Sequence, residues 1–348
     1  MARVYTPEAH HSADAGDRER GGLLSRRSGG RMRGVFGRWG GEGMWRRGWV
    51  LAGCAVLLAL AFLLHAEIPN SIGNLGSLWE TFLPWGGVLV VVLLVLAVLR
   101  RSATALIALL LPALVWVNLF GGLLTDKTGG NGDLTVVTHN VNAENPDPAG
   151  TARDLAGSGA DIIALEEVAG EQKATYEKGL DASHPHHKVT GTVGIWSKYP
   201  MKDVRPVDIK MGWPRAMRAT VETPKGDVAV YAAHLPSVRV QFRAGFTAEQ
   251  RDGSAQALGE AISRDRTGKV ILLGDLNGTM NDRALAPITS QMRSAQGAAG
   301  DGFGFSWPAS SPMARIDQIM TKNADPVSAW TLSSTGSDHL PVAASLDL

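Results

Sequence analysis

Three runs in the first third of the chain are almost purely apolar. Residues 48–66, 82–99 and 103–124 contain no Asp, Glu, Lys or Arg. A helix of about 20 apolar residues matches the roughly 30 Å hydrocarbon core of a bilayer. A helix packed into a soluble core keeps a polar face, and these runs have none. The pattern predicts three transmembrane helices. A cleaved signal peptide fits the first run poorly, because a long basic region precedes it and two further runs follow. Pro84 and Pro112 fall in the second and third runs and predict kinks, which membrane helices tolerate. Trp45, Trp49, Trp79, Trp85 and Trp116 sit near the ends, where interfacial anchors belong.

The pattern changes after residue 133. LTVVTHNV (134–141), DIIAL (161–165), GTVGIWS (191–197), MRATVET (217–223) and DVAVYAAHL (227–235) are short, β-branched and apolar, as strands are. KVILLGDLN (269–277), RIDQIMT (315–321), AWTLS (329–333) and LPVAASLDL (340–348) read the same way. TARDLAG (151–157) and the longer segment 247–264, with Thr247 as its N-cap, read as helices. Strands dominate and several pair as hairpins, which predicts a mixed-sheet sandwich flanked by helices.

Charge sharpens this division. Residues 1–47 carry ten arginines against five acids, while residues 126–348 carry 22 basic and 26 acidic residues. The first segment, rich in Gly, Ser and Arg, predicts a disordered tail. Arg46 and Arg47 precede the first run, residues 67–81 lack Lys and Arg, and Arg100 and Arg101 separate the second and third runs. By the positive-inside rule the tail is cytoplasmic and everything after residue 124 is outside. Basic residues beside a span suit the anionic cytoplasmic leaflet. The expected organisation is a basic tail (1–47), three spans (48–124), a Gly-rich linker (125–133) and an extracytoplasmic domain (134–348). The single cysteine, Cys54, excludes an intramolecular disulfide and a cysteine metal cluster. A P-loop, a Rossmann fingerprint, GxSxG and HExxH are all missing from the sequence, which sets aside nucleotide-binding, serine-hydrolase and zincin readings.

Most strands of the outer domain end in a polar residue that a surface turn does not require: Asn140, Glu166 and Glu167, His234, Asp275 and Asn277, Asp317, then Asp338 and His339. Carboxylates and amides without thiolates are hard oxygen ligands that suit Mg²⁺, Mn²⁺ or Ca²⁺. Two histidines beside such a cation can stabilise charge on phosphate oxygens and move protons. An acid such as Asp317 can orient one imidazole. Together these are the parts of a phosphoester hydrolase.

VVTHNVN, IIALEEV, VGIWSKYPM, YAAHLPS, ILLGDLNGT, RIDQIM and GSDHLPV, in that order, resemble the endonuclease/exonuclease/phosphatase superfamily with the DNase I-like fold. The resemblance covers essentially all of residues 134–348. It implies an α+β fold: a four-layer α/β/β/α sandwich, here behind three transmembrane helices, with Mg²⁺ as cofactor. It implies that Glu167 is the main metal ligand, with Asn140 and Asp338 near the metal. His234 matches a phosphate-stabilising or acid histidine. Asp275 matches the residue that orients or deprotonates water, and Asn277 the amide that holds phosphate. His339 faces the scissile phosphate with Asp317 as its orienter. Arg218 aligns with basic positions that touch substrate, or is an ordinary strand arginine.

Two positions depart from the family pattern. Glu166 replaces the usual Gln, either as an extra metal ligand or as a solvated acid, and His139 replaces an aromatic residue and is assigned no role. HPHH (184–187) reads as loop and strand edge rather than as a ligand cluster, since adjacent strand residues face opposite sides. Trp213, Trp307 and Phe242 are candidates for the cleft rim or for packing. The function these features imply is a multi-pass, cell-membrane-anchored, metal-dependent phosphodiesterase, nuclease or phosphatase. Its partners are the lipid bilayer and a phosphoester: nucleic acid, phospholipid or a small phosphodiester. The mild acidity of the domain disfavours nucleic acid. The alternative is a non-catalytic membrane-tethered binding module.

Overall fold

The computed structural model describes residues 43–238 and 246–348, with the backbone alone at 246 and 247. The basic tail up to residue 42 and Phe242 lie outside the described residues. The first apolar run forms α1 (Trp49–Leu63), 15 residues long, or about 22 Å. That is shorter than the expected span, because Leu64 leaves helical geometry and a 3₁₀ turn follows over His65–Glu67. After α2 (Leu75–Thr81) comes α3 (Gly86–Arg100). The third run is broken into α4 (Ala103–Ala108) and α5 (Leu110–Phe120). Pro112 explains the break: it has no N–H to donate to the Ala108 carbonyl and its ring crowds that group. Pro84 starts the second helix rather than kinking it. Two segments, Leu83–Arg100 and Ala103–Leu123, are long and apolar enough to cross a membrane. Val91, Val95, Leu99 and Leu114 on them are exposed, which weakly favours a lipid environment.

Among the described residues, the rest folds as two six-stranded sheets. One has the order β11-β12-β1-β2-β4-β3 and the other β5-β6-β7-β8-β10-β9. In the first sheet these are β1 (Leu134–Asn140), β2 (Ile162–Glu166), β3 (His186–Thr190), β4 (Val193–Ser197), β11 (Asp325–Thr331) and β12 (Val342–Asp347). In the second they are β5 (Met201–Pro206), β6 (Ala216–Thr223), β7 (Gly226–His234), β8 (Lys269–Asp275), β9 (Arg293–Ser294) and β10 (Asp317–Lys322). Among the described strands, only the β1–β2 and β7–β8 pairs are parallel. Each central strand is apolar on both faces, and the two faces go to different cores. Val136, Ile162, Val230 and Ile271 meet between the sheets. Val137, Ile163 and Leu165 pack outward on α6 (Pro148–Ala156) and α7 (Gln172–Leu180). Tyr231, Val270 and Leu272 pack outward with Leu258 and Ile262 of α8 (Phe246–Ser263). The result is the α/β/β/α order of layers.

The helical segment is seated on this sandwich. Arg251 of α8, itself buried, donates to Ser77 Oγ of α2 at 3.1 Å. Thr279 Oγ1 donates to the Glu80 carbonyl at 3.1 Å, and the Trp85 indole donates to the Met313 carbonyl at 2.8 Å. The Gly-rich segment after α5 also lies along the domain, with Gly129 N donating to Val327 O at 2.7 Å.

Candidate functional site

The two parallel strand pairs end at the same edge of the sandwich. Asn140 pairs with Glu166 across β1 and β2, and His234 pairs with Asp275 across β7 and β8. Asp317 opens β10 opposite Asp275. Gly274 makes the β7–β8 approach possible, since a Cβ there would stand 1.9 Å from the Ala233 carbonyl oxygen. The chain leaves β2 through Glu167 with φ of 61°, a left-handed step uncommon for a side chain of this size. That step breaks the strand alternation and gives Glu166 and Glu167 different fates.

A cleft of about 500 Å³ opens at this edge, lined by Asn140, Glu167, His234, Asp275, Asn277, Asp338 and His339. Asn140 ties the two sheets together, its amide donating to Asp275 Oδ2 at 3.0 Å and to Glu167 Oε1 at 3.3 Å. Asn277, also left-handed at φ 47°, is held by its amide on the Leu235 carbonyl at 2.9 Å. The Gly336–His339 turn is locked to β1: Ser337 Oγ donates to the Asn140 carbonyl at 2.6 Å, and Asn142 donates to Asp338 Oδ1 at 3.1 Å.

His339 Nδ1 lies 2.9 and 3.1 Å from the two carboxylate oxygens of Asp317, which also accepts from Ser306 Oγ at 2.6 Å. A carboxylate partner fixes the proton on Nδ1 and leaves Nε2 directed at the cleft, 4.0 Å from Asp275 Oδ2. Burial opposes a charge on His339, but the Asp317 carboxylate outweighs it and raises the imidazole to about 10. Burial likewise works against the Asp317 charge, yet His339 holds it below the ordinary range. Burial, then Asp317, pushes the Asp275 carboxyl up to about 7.

The second imidazole is in the opposite state. The Arg215 guanidinium lies against His234 Nδ1. Arginine can only donate, so Nδ1 accepts, and the proton of the neutral ring sits on Nε2. Nε2 is 3.6 Å from Asp275 Oδ2 and 3.7 Å from Glu167 Oε1. Burial, then the Arg215 charge, holds this ring well below the usual histidine range. The cleft therefore has one imidazolium and one neutral donor.

Asp275, Asp317 and His339 bring atoms of metal-ligating types within 4.8 Å of one another. The mutual hydrogen bonds of Asp317 and His339 already use the facing atoms of that group, so it is a carboxylate–imidazole pair. The oxygen donors that line the cleft are those of Glu167, Asp275 and Asp338, with the amides of Asn140 and Asn277 beside them. This all-oxygen set fits a hard divalent cation.

Not every candidate reaches the cleft. Arg218 is buried and turned away, its Nε 3.1 Å from Asp265 Oδ2 and its Nη2 2.8 Å from Thr267 Oγ1. Neither expectation for Glu166 fits. It is fully buried beneath the cleft, accepts from Thr138 Oγ1 at 2.9 Å, and burial raises its carboxyl well above the ordinary range. His139 is also fully buried, bonded to Thr335 Oγ1 at 3.0 Å, and burial lowers it to about 3. His184 bonds the Ala160 carbonyl at 3.0 Å and His187 stacks on Trp196, both away from the site. Trp307 lines the cleft, whereas Trp213 lies under the Arg215 guanidinium. Arg215 and Thr81 line the cleft without having been expected there. Arg215 follows WP in a stretch that reads as a loop. Thr81 precedes the sandwich in sequence, so no local signal marks it.

No curated protein matches the chain. Among solved structures, an endonuclease/exonuclease/phosphatase from Beutenbergia cavernae is similar at 20% identity and a TM-score of 0.50, over 62% of this chain and 71% of that one. A beta toxin (275-280) from Staphylococcus aureus is similar at 15% identity and a TM-score of 0.51, over 61% of this chain and 99% of the toxin. A mannosyl-6-phosphatase from Bacteroides thetaiotaomicron is similar at 15% identity and a TM-score of 0.50, over 62% of this chain and all of that one. At these identities the likeness is one of fold. Residues 137–339, more than half of the chain, match the Endonuclease/Exonuclease/phosphatase family, and the chain belongs to that family.

Proposed function

We propose that this protein is a membrane-anchored, extracytoplasmic, divalent-metal-dependent phosphoester hydrolase. The observation that carries this reading is the convergence of a His339–Asp317 pair, a neutral His234 and Asp275 on one cleft that is also lined by the oxygen donors Glu167, Asp338, Asn140 and Asn277. Glu167, with Asn140 and Asp338 beside it, would hold the cation, which when bound supplies Lewis-acid charge at a phosphate oxygen. Asp275 orients the attacking water and accepts its proton. The Nε2–H of His339 faces the scissile phosphate, and the buried Asp317 stabilises its positive charge. The Nε2–H of His234 donates to a non-bridging oxygen, with Arg215 fixing the tautomer. Asn277 holds the phosphate from the side. Site hydrogen bonds of this kind tighten when substrate arrives. The helices that suit a bilayer, and the basic residues flanking them, support anchoring with the cleft outside.

The test uses the full chain in detergent and a chromogenic phosphodiester. Hydrolysis is expected only with an added divalent cation, and His339→Ala is expected to slow it by about 10²–10⁴, the usual worth of a general acid–base group. Inactivity in Mg²⁺, Mn²⁺ and Ca²⁺ alike, or an undiminished rate in His339→Ala, refutes the reading and favours a binding module. Topology is tested separately with a C-terminal reporter enzyme, expected to be active outside; activity confined to the cytoplasm overturns the orientation.

A further inference from the structure

A second cavity, of about 470 Å³, lies between α3, α5 and the 303–305 loop of the sandwich. Its volume is in the range of ligand pockets. All eleven residues that line it are apolar. The two indoles in its wall have no free donor, because Trp85 Nε1 bonds the Met313 carbonyl and Trp116 Nε1 bonds the Pro84 carbonyl, each at 2.8 Å. Its helical walls belong to the two segments with the length and composition to cross a membrane. The Phe303 and Phe305 rings stack on each other at 5.1 Å and close it from the domain side.

This groove adjoins the phosphate cleft. Phe305 lines the groove and Trp307 lines the cleft. Two residues of extended chain reach at most about 7 Å. The opposite wall repeats the relation, with Thr81 in the cleft and Pro84 and Trp85 in the groove. A polar site for phosphate and an apolar groove between the two candidate membrane segments thus stand side by side.

We infer that the groove holds an acyl chain and that the substrate is a membrane lipid with a phosphodiester headgroup. This rests on the hydrolase and anchoring readings above and names the substrate class within them. The lipid enters from the outer leaflet with one chain between α3 and α5, which sets its phosphate against Glu167, His234 and His339. Water adds its oxygen to phosphorus, one P–O ester bond breaks, and the departing oxygen takes a proton. The products are an alcohol and a phosphomonoester, and no oxidant or co-substrate is needed. A soluble phosphodiester with the same headgroup lacks the groove contact and binds more weakly.

The full chain in mixed micelles is tested on phosphatidylcholine and on acyl-free glycerophosphocholine, with conversion of phosphodiester to phosphomonoester followed by ³¹P NMR. The expected kcat/KM ratio favours the lipid by at least about tenfold, because an acyl chain held in the groove positions the phosphate at the cleft while the acyl-free diester must be oriented without it. Val88→Trp, which fills the groove from an exposed position, is expected to cut the lipid rate at least about tenfold and to leave the acyl-free rate within about twofold. Val95→Trp, exposed on α3 outside the groove, should change neither rate. Equal rates on the two substrates, or a Val88→Trp variant as fast on lipid as the parent, overturns the inference. So does a DNA oligonucleotide cleaved faster than lipid and unaffected by Val88→Trp. In those outcomes the hydrolase reading stands, because a phosphodiester is still cleaved. Loss of hydrolysis on every substrate in the parent would instead remove the hydrolase reading and the inference with it.

Discussion

Arg251→Met tests how the helical segment and the sandwich are held as one body. The guanidinium is 1% exposed and makes a bidentate pair with Asp282, at 2.7 and 3.3 Å. It also donates to the Asn277 carbonyl at 2.9 Å and to Ser77 Oγ at 3.1 Å. One side chain therefore joins α8, the turn that carries a cleft amide, and the helix before the second apolar run. Its loss leaves Asp282 buried with the Ala284 backbone N–H as its one hydrogen-bond donor, at 2.9 Å. Removing one partner of a buried pair costs about 3–5 kcal/mol, because the remaining charge is uncompensated. For a domain of this size each kcal/mol moves the melting midpoint by about 2–4 °C. The expected fall is therefore about 6–20 °C, read by circular dichroism on the full chain in detergent. Asp282→Asn keeps the cap on Ala284 and removes the charge, so the double variant Arg251→Met/Asp282→Asn should recover at least about half of the loss. A midpoint for Arg251→Met within about 2 °C of the parent, or a double variant no better than the single, refutes the reasoning.

Asp317→Asn should reduce kcat by about 10²–10⁴ with little change in KM, since the amide no longer stabilises the imidazolium; an unchanged kcat would show that His339 needs no orienter. Chelation by EDTA should abolish hydrolysis and Mg²⁺ should restore it, and full activity in EDTA would remove the cation from the mechanism. Burial, and then Asp282, raises the Glu80 carboxyl from 4.5 to about 8. A folded-state value above the unfolded one means that the stabilisation is complete below pH 4.5 and is lost as the pH rises through about 8. The melting midpoint of the parent should therefore fall across that window relative to Glu80→Gln, and parallel curves for the two proteins would contradict it.

The strands that build the cores of the sandwich were legible because their residues are apolar on both faces: β1, β2, β7 and β8 each bury nearly every position. The edge strand β5 and the helix α7 carry no such signal. β5 is largely exposed, and α7 buries only Tyr176 and Leu180 of its nine residues. Strand-end residues such as Asp275 and Asn277 could be picked out as candidates, since polar groups at the end of an apolar strand have no local reason to be there. Their roles were not fixed by identity. Glu166 and Glu167 are chemically the same, and one backbone dihedral sends one into the core and the other into the cleft.

The sequence by itself determined the layered sandwich, the apolar helices before it and the set of oxygen and imidazole groups available at the strand ends. Those follow from period, length and residue chemistry, which are local. Only the tertiary structure decided that Arg218 faces Asp265 while Arg215 fixes the His234 tautomer. It alone brought Thr81 to the cleft and set the groove beside it. The reason is physical. Which donor meets which acceptor depends on strand register and on packing between segments far apart in the chain, and neither leaves a trace in the sequence around the residue.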